Sequence, residues 1–360
     1  MQVKKKIRTK TMIIGKEKMI MNKKLSVFAI ILIIVGLIGT IWSGINTMPY
    51  FMREISKAEQ EAIKEETIYN ESIEDTKKLT IYTTESNVTV KKNNENKIKV
   101  NKLGNVDYAR YDVSNNDNNL SISEVESNKN YEFKILDFKE LFNLGIKSLV
   151  SINNSGLIVY IPENVDLEVV TLYGNLNIDN NLSLNSILFK TSSGAISLPK
   201  KIKNIDKLQI LSSSNIYLEV TELLGINSLD IECEYLNIYS NESYSFIENI
   251  EDYIPDNINI NQYNGNEYEG TIHISSNIPI SKNLSINSAN NHVYLDLPIE
   301  SYKFNFDAKT SDYIELNYDL LYENTVPEKI KQIKGLINKD LEKMEKEYNI
   351  NVKCKYLEIQ

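Results

Sequence analysis

The stretch ILFKTSSGAISL (187–198) is an alternating apolar pair, a small polar corner and a second alternating pair. Its neighbours have the same form: LEVVTLYGNLNI (167–178), KLQILSSSNIYL (207–218) and SLDIECEYLNIY (228–239). Residues two apart on a strand face the same side, so each unit presents apolar side chains to one side of two short strands. Leu176, Ile196, Ile216 and Leu236 stand twenty residues apart, as do Ile178, Leu198, Leu218 and Ile238. A fixed period of this size stacks each unit on the last around a continuous core. A β-sandwich also has many short strands at regular intervals and is the structural alternative, but it has no need of an integer repeat. The expected fold is therefore mainly β, a single-stranded β-solenoid of 20-residue rungs. Ile196, Ile216 and Leu236 should be buried in one row, with Tyr217 pointing the other way.

The pattern extends outward over residues 79–326. LTIYTTESNVTV (79–90) precedes the four units, and NLSINSANNHVYLDL (283–297) and KFNFDAKTSDYIELN (303–317) follow them. The later pairs Val293/Leu295 and Ile314/Leu316 are twenty-one apart. Gly174, Gly194, Ser214, Glu234, Asn291 and Asp312 share one position before the second strand, where turn-forming residues suit a bend. Two regions break the rhythm. KNYEFKILDFKELFNLGIKSLV (129–150) places Phe138, Leu141, Phe142 and Leu149 on one helical face, and the Asn-, Tyr- and acid-rich residues 240–270 read as an inserted loop. Stacked strands leave open edges that need covering. Residues 327–360 supply a candidate cap: Pro327 opens a segment in which Ile330, Ile333, Ile337, Leu341 and Met344 form an apolar helical stripe, followed by the strand INVKCKYLEI.

Upstream, residues 25–46 form a membrane segment that is free of charge from Leu25 to Ile45 and long enough to span a hydrocarbon core of about 30 Å as a helix. Trp42 and Tyr50 suit the headgroup layer at its far end. Residues 1–24 carry nine basic groups against Glu17 alone, so positive-inside bias places them in the cytoplasm and the main domain outside. Met19 and Met21, just before Asn22-Lys23-Lys24, offer alternative starts. No small-x-small motif closes the apolar run and no Cys follows it, which favours an uncleaved single-pass anchor over a signal peptide. Gly36 with Thr40, and Gly39 with Ser43, place small residues four apart, a spacing that permits a homodimer through this helix. Residues 47–78 read as a charged stalk, helical or partly disordered.

Beyond the basic arm, residues 25–360 hold 31 basic and 48 acidic groups, a net −17. Such a surface repels phosphate backbones, which excludes nucleic acid as a partner. Cys233 and Cys354 lack CxxC spacing; they could close one long-range disulfide, but buried free thiols are the simpler reading. His273 and His292 sit between or beside apolar strand residues and should face outward, and no zinc motif is present. The acids Glu248, Glu251, Asp252 and Asp256 lack a DxDxDG framework, so a solvated loop is preferred to calcium binding. Gly-x-Ser-x-Gly is absent, and Ser192, Ser193, Ser212, Ser213 and Ser214 suit hydrogen-bonded turns. A polysaccharide-acting enzyme would need clustered carboxylates with Arg or Lys, yet the exported region has only Arg53 and Arg110. No catalytic, metal or cofactor-binding residue is assigned.

The order of anchor, stalk and rungs resembles the bacterial putative-adhesin family, domain of unknown function 4097, whose members repeat a T-S-S-G-[DA]-I-x-[LIV] phrase. Thr191-Ser192-Ser193-Gly194-Ala195-Ile196-Ser197-Leu198 matches it, and Lys309-Thr310-Ser311-Asp312-Tyr313-Ile314 is a degenerate copy. The similarity covers residues 79–317. Few corners here carry Gly, and residues 240–270 depart from the pattern. The resemblance implies a cell-envelope protein without catalytic residues. The expected function is a non-enzymatic surface-binding or scaffolding module, contacting an envelope protein or wall polymer. An accessory role in envelope-stress sensing is the alternative, and gene neighbourhood would discriminate the two.

Overall fold

The computed structural model describes residues 48–61, 63–72, 77–104, 110–116, 118–125, 156–179, 182–241, 247–262, 270–316, 330–337 and 346–360. The membrane segment at 25–46, the 129–150 helix and the part of the proposed cap at 338–345 lie outside them. Among the described residues no helix is long and apolar enough to cross a membrane. The chain divides into two compact units, Met1–Glu61 with Phe133–Ile152, and Ala62–Glu132 with Asn153–Gln360. The described part of the first is a helix over 48–61, whose Glu54 pairs with Lys57 at 3.5 Å one turn on.

The second unit is built of strands. In chain order they are β1 (Glu65–Ser72), β2 (Lys78–Thr83), β3 (Asn87–Lys92), β4 (Lys97–Leu103), β5 (Arg110–Asn116), β6 (Asn119–Val125) and β7 (Gly156–Ile161). The repeating stretch gives β8 (Asp166–Thr171), β9 (Leu176–Ile178), β10 (Ser183–Thr191), β11 (Ile196–Ser197), β12 (Asn204–Ser212), β13 (Asn215–Glu219), β14 (Ile226–Cys233) and β15 (Tyr235–Tyr239). Then come β16 (Asn257–Gln262), β17 (Thr271–Ser275), β18 (Asn283–Asp296), β19 (Lys303–Leu316), β20 (Ile330–Ile337) and β21 (Glu347–Ile359).

The repeat appears as parallel pairing. Leu120, Leu79, Leu167, Ile187, Leu208, Leu229, Ile258, Leu284, Ile350 and Phe306 are consecutive register partners across β6, β2, β8, β10, β12, β14, β16, β18, β21 and β19. Each is buried in one core cluster. The second strands pair in two separate runs that belong to different sheets, so Ile196 and Ile216 are not register partners and the expected single row is interrupted between β11 and β13. Leu157, Val88, Leu176 and Ile196 align across β7, β3, β9 and β11. Ile216, Leu236, Ile272, Val293, Leu357 and Ile314 align across β13, β15, β17, β18, β21 and β19. Ile216 is 1% exposed and its neighbour Tyr217 53%, so the register is the expected one.

The corner between the two rows explains the T-S-S-G phrase. Thr191 turns inward, and its Oγ1 accepts hydrogen bonds from the Gly194 N–H at 2.6 Å and the Ser193 N–H at 3.2 Å. Thr171 does the same for the Gly174 N–H at 2.8 Å, and Ser212 for the Ser214 N–H at 3.1 Å. These bonds satisfy backbone donors within the bend, alongside the corner-to-corner bond from the Ser193 N–H to the Leu172 carbonyl at 2.9 Å. A Cβ on Gly194 would overlap the carbonyl oxygen of Gly174, and one on Gly174 that of Ser86. At these two positions successive corners approach too closely for a side chain.

Four other expectations are corrected. Residues 240–270 are not simply an inserted loop: β16 carries Ile258 and Ile260 into the first row, and the alternation of NININQ suffices for that. The stalk ends early, because β1 pairs antiparallel with β4 and a bulge between Thr67 and Tyr69 lets Ile68 and Tyr69 both pack on the core. The C-terminal helix is, over Ile330–Ile337, a strand antiparallel to β19. Its Ile330 and Ile333 meet Ile314 and Ala308 through a register irregularity, so a three-residue spacing reaches one side without helical winding. The open edge of β19 supplies backbone partners that override the local stripe. Finally, Val293 and Ile314 do not stack directly, because β21 pairs in parallel with β18 and β19 and lies between them.

Candidate functional site

Parallel registration aligns what faces outward as well as what faces inward. On the second strands, Asn215, Tyr235, Thr271, His292 and Tyr356 follow the register of neighbouring strands, the pairs being Asn215 with Tyr235, Thr271 with His292 and His292 with Tyr356. Beside them runs Tyr217, Asn237, His273, Tyr294, Glu358 and Glu315. Both histidines of the chain lie on this face, outward as expected. Its rings touch in series: Tyr217 to Tyr235 at 5.8 Å, His273 to Tyr294 at 6.3 Å, Tyr294 to Tyr356 at 6.0 Å and Tyr356 to Tyr313 at 4.8 Å between centroids. The Tyr356 hydroxyl donates to Glu315 Oε2 at 2.6 Å, and burial together with that bond pushes its pKa well above the usual phenol range.

The first strands present a different surface. Asn305 Nδ2 donates to Asn349 Oδ1 at 3.2 Å, Asn349 Nδ2 to Asn283 Oδ1 at 3.0 Å, and Asn283 Nδ2 to Asn257 Oδ1 at 3.3 Å. This amide ladder runs across four strands. Nearby, Lys207 meets Asp230 at 3.0 Å and Asn259 Nδ2 donates to the same carboxylate at 2.9 Å. Burial alone would raise the Asp230 pKa, but the Asn259 and Lys207 contacts outweigh it and hold the carboxyl below its ordinary range.

The residues that sequence reasoning weighed for chemistry are occupied structurally. Lys346 bridges Glu251 at 3.6 Å and Asp252 at 2.8 Å, and Lys282 meets Asp256 at 2.6 Å. Among the described residues no group of His, Cys, Asp or Glu is arranged to hold a metal ion. Cys233 and Cys354 are free, buried at corners, and burial pushes both thiols up to about 12. The corner serines make the expected turns, with Ser213 Oγ donating to the Ser192 carbonyl at 3.1 Å.

One buried polar cluster escaped the sequence. Lys203 borders an open hollow of about 580 Å³ with Lys92, Asn94, Leu182, Ser183, Ile202 and Asn204. Its Nζ donates to the carbonyls of Glu222 at 2.8 Å and Leu224 at 3.1 Å, at the end of the 3-10 turn Val220–Leu223. The Glu222 carboxylate in turn accepts from the Glu219 N–H at 2.8 Å and the Leu198 N–H at 3.1 Å. Burial lowers the lysine to about 7 against the opposing pull of Glu222. With its ammonium tied to two backbone carbonyls, this lysine is a staple for the turn.

The aromatic face was equally hidden, because its neighbours come from distant sequence: Asn237 beside His273, Tyr294 beside Glu358. The local signal was there in the outward-facing aromatic of each short strand, in NIYL, TIHIS, HVYLD and KYLEI.

No curated protein matches the chain in sequence. Among solved structures, one of a putative cell adhesion protein from Clostridium sporogenes is 10% identical, covering 82% of this chain and 98% of that one, with a TM-score of 0.20. A putative adhesin from Bacteroides fragilis is 13% identical, covering 82% of this chain and 97% of its own, with a TM-score of 0.39. The family model described as Toastrack, domain of unknown function 4097, matches residues 76–345 of the 360, and the chain belongs to that family.

Proposed function

We propose that this chain is a membrane-anchored, extracytoplasmic binding module without catalytic function, its rungs forming a single-stranded β-solenoid. The observation that carries the reading is the alignment of outward side chains into columns across successive strands, which turns short rungs into one extended surface. Anchoring is supported by the charge-free segment Leu25 to Ile45 behind its basic arm. A non-enzymatic role is supported by the engagement of Lys203, Glu222, Asp252 and Asp256 in structural contacts.

Topology is tested with Cys substitutions in the full chain and a membrane-impermeant thiol reagent on intact cells. The native thiols are buried and add no background. Gln60→Cys should label and Lys10→Cys should not; the reverse accessibility would overturn the proposed localisation.

A further inference from the structure

The two outward surfaces differ in what they present, and that difference points to a ligand class. The amide ladder of the first strands links its side chains to one another. The second-strand face instead offers rings: Tyr217 is 53% exposed, and Tyr235, His273 and Tyr294 are half-buried. Tyr294 leans edge-on against Tyr356, which is buried and pinned through its hydroxyl to Glu315, so the ring is held rigidly from one side. Between Tyr217 and His273 in register stands the polar side chain of Asn237.

Building on the binding role proposed above, we infer that this face holds a glycan strand of uncharged or amino-substituted pyranoses, its sugar rings lying on Tyr217, Tyr235 and Tyr294. The negative face of a phenol ring attracts the C–H edges of a pyranose, and a rigid amphipathic ring loses little conformational entropy on contact. Rings repeated from strand to strand meet a polymer whose own units repeat, which multiplies weak contacts along one chain. Charge selects among polymers. No Lys or Arg occupies the registered outward positions from Asn215 to Glu358, whereas Glu315, Glu358 and Asp296 do lie on this face. Phosphate-bearing chains are repelled there, while amino groups are attracted.

The test uses full-length protein in lipid nanodiscs, with binding followed by calorimetry. The probes are a hexamer of β-1,4-linked N-acetylglucosamine, its de-N-acetylated counterpart and poly(glycerol phosphate). Both glycans should bind and the phosphate polymer should not. Tyr217→Ala and Tyr294→Ala should each weaken glycan binding roughly tenfold, the scale of one lost stacking contact. Asn283→Ala, on the amide ladder, should leave it unchanged. Matching thermal melts establish that the variants fold, and Tyr294→Phe, which keeps the ring, should restore binding. Absence of glycan binding by the parent protein, equal binding by the Tyr→Ala variants, or preference for the phosphate polymer would each overturn this assignment. Because those results leave the labelling at Gln60 untouched, they would sink the glycan face and not the anchored module.

Discussion

Residues 166–239 and residues 283–359 build the same two-row unit by different means. In the first stretch, each unit is two separate strands joined at a corner, and at three of the four corners Thr171, Thr191 or Ser212 turns inward and bonds the bend. In the second, β18, β19 and β21 run unbroken through the corner, absorbing it as a register shift between Ser288 and His292 or between Thr310 and Ile314. The first stretch stacks in chain order. The second does not, since the last strand lies between two earlier ones. A regular period therefore reflects local chemistry, while order of assembly is free to vary once strands are long enough to pair on both edges.

The largest effect should come from the C-terminal stretch. β21 pairs with β18 and β19 along nearly its whole length and buries Tyr348, Ile350, Val352, Leu357 and Ile359. Each such side chain is worth about 1.5–3 kcal/mol, so their sum reaches the scale of a domain's whole stability. Deleting residues 347–360 should abolish the cooperative unfolding transition in circular dichroism. A truncated protein that still melts cooperatively would show that β18 and β19 close on each other, and that chain order governs both stretches alike.

A smaller effect should separate the two kinds of corner. Gly194→Ala pushes a methyl group into the Gly174 carbonyl, and neither backbone can yield without disturbing its neighbours. Overpacking of this kind costs about 3 kcal/mol. At the other end, Asn291 occupies the equivalent corner, fully buried, and its Oδ1 accepts from the Gly270 N–H at 2.9 Å. Asn291→Ala leaves that donor unmet at a cost of about 1–3 kcal/mol. Denaturant midpoints should fall for both, more for Gly194→Ala. The opposite order would mean that the continuous strands, not the tight corners, set the geometry.

What could be read from the sequence follows the same division. The units from 167 to 239 were legible because the register partners of their first strands lie one period apart in sequence, so alternation and spacing report the same contacts. The inward row through Ile216 and Leu236 and the outward position of Tyr217 follow directly. The strand at Ile330–Ile337 was not legible, since its apolar spacing fits a helix and only the free edge of β19 decides for a strand. The aromatic face was not legible either: it joins residues 36 positions apart at Leu236 and Ile272, and 64 apart at Val293 and Leu357, which no periodic reading connects. Lys203 gave no signal at all, because its partners are backbone carbonyls.

That lysine supplies the finest distinction between the stretches, through pH. In the unfolded chain a lysine stays protonated up to about 10.4. In the fold Lys203 loses its proton above about 7 because burial disfavours the ammonium. Between those values the unfolded state binds one more proton, so stability from this group rises with pH, by at most about 1.4 kcal/mol per unit, and is lost again as pH falls towards 7. Cys233 and Cys354 act oppositely: their thiols are raised to about 12, so their contribution is complete below the ordinary thiol range and lost above it. The interval from pH 7 to 8.5 thus isolates the lysine. Urea midpoints of the parent protein should climb across it, and Lys203→Met should flatten the climb. Cys354→Ser, in the C-terminal stretch, should leave the slope unchanged. A parent midpoint that stays level over that interval would mean the carbonyls of Glu222 and Leu224 keep the ammonium charged, making the staple ionic.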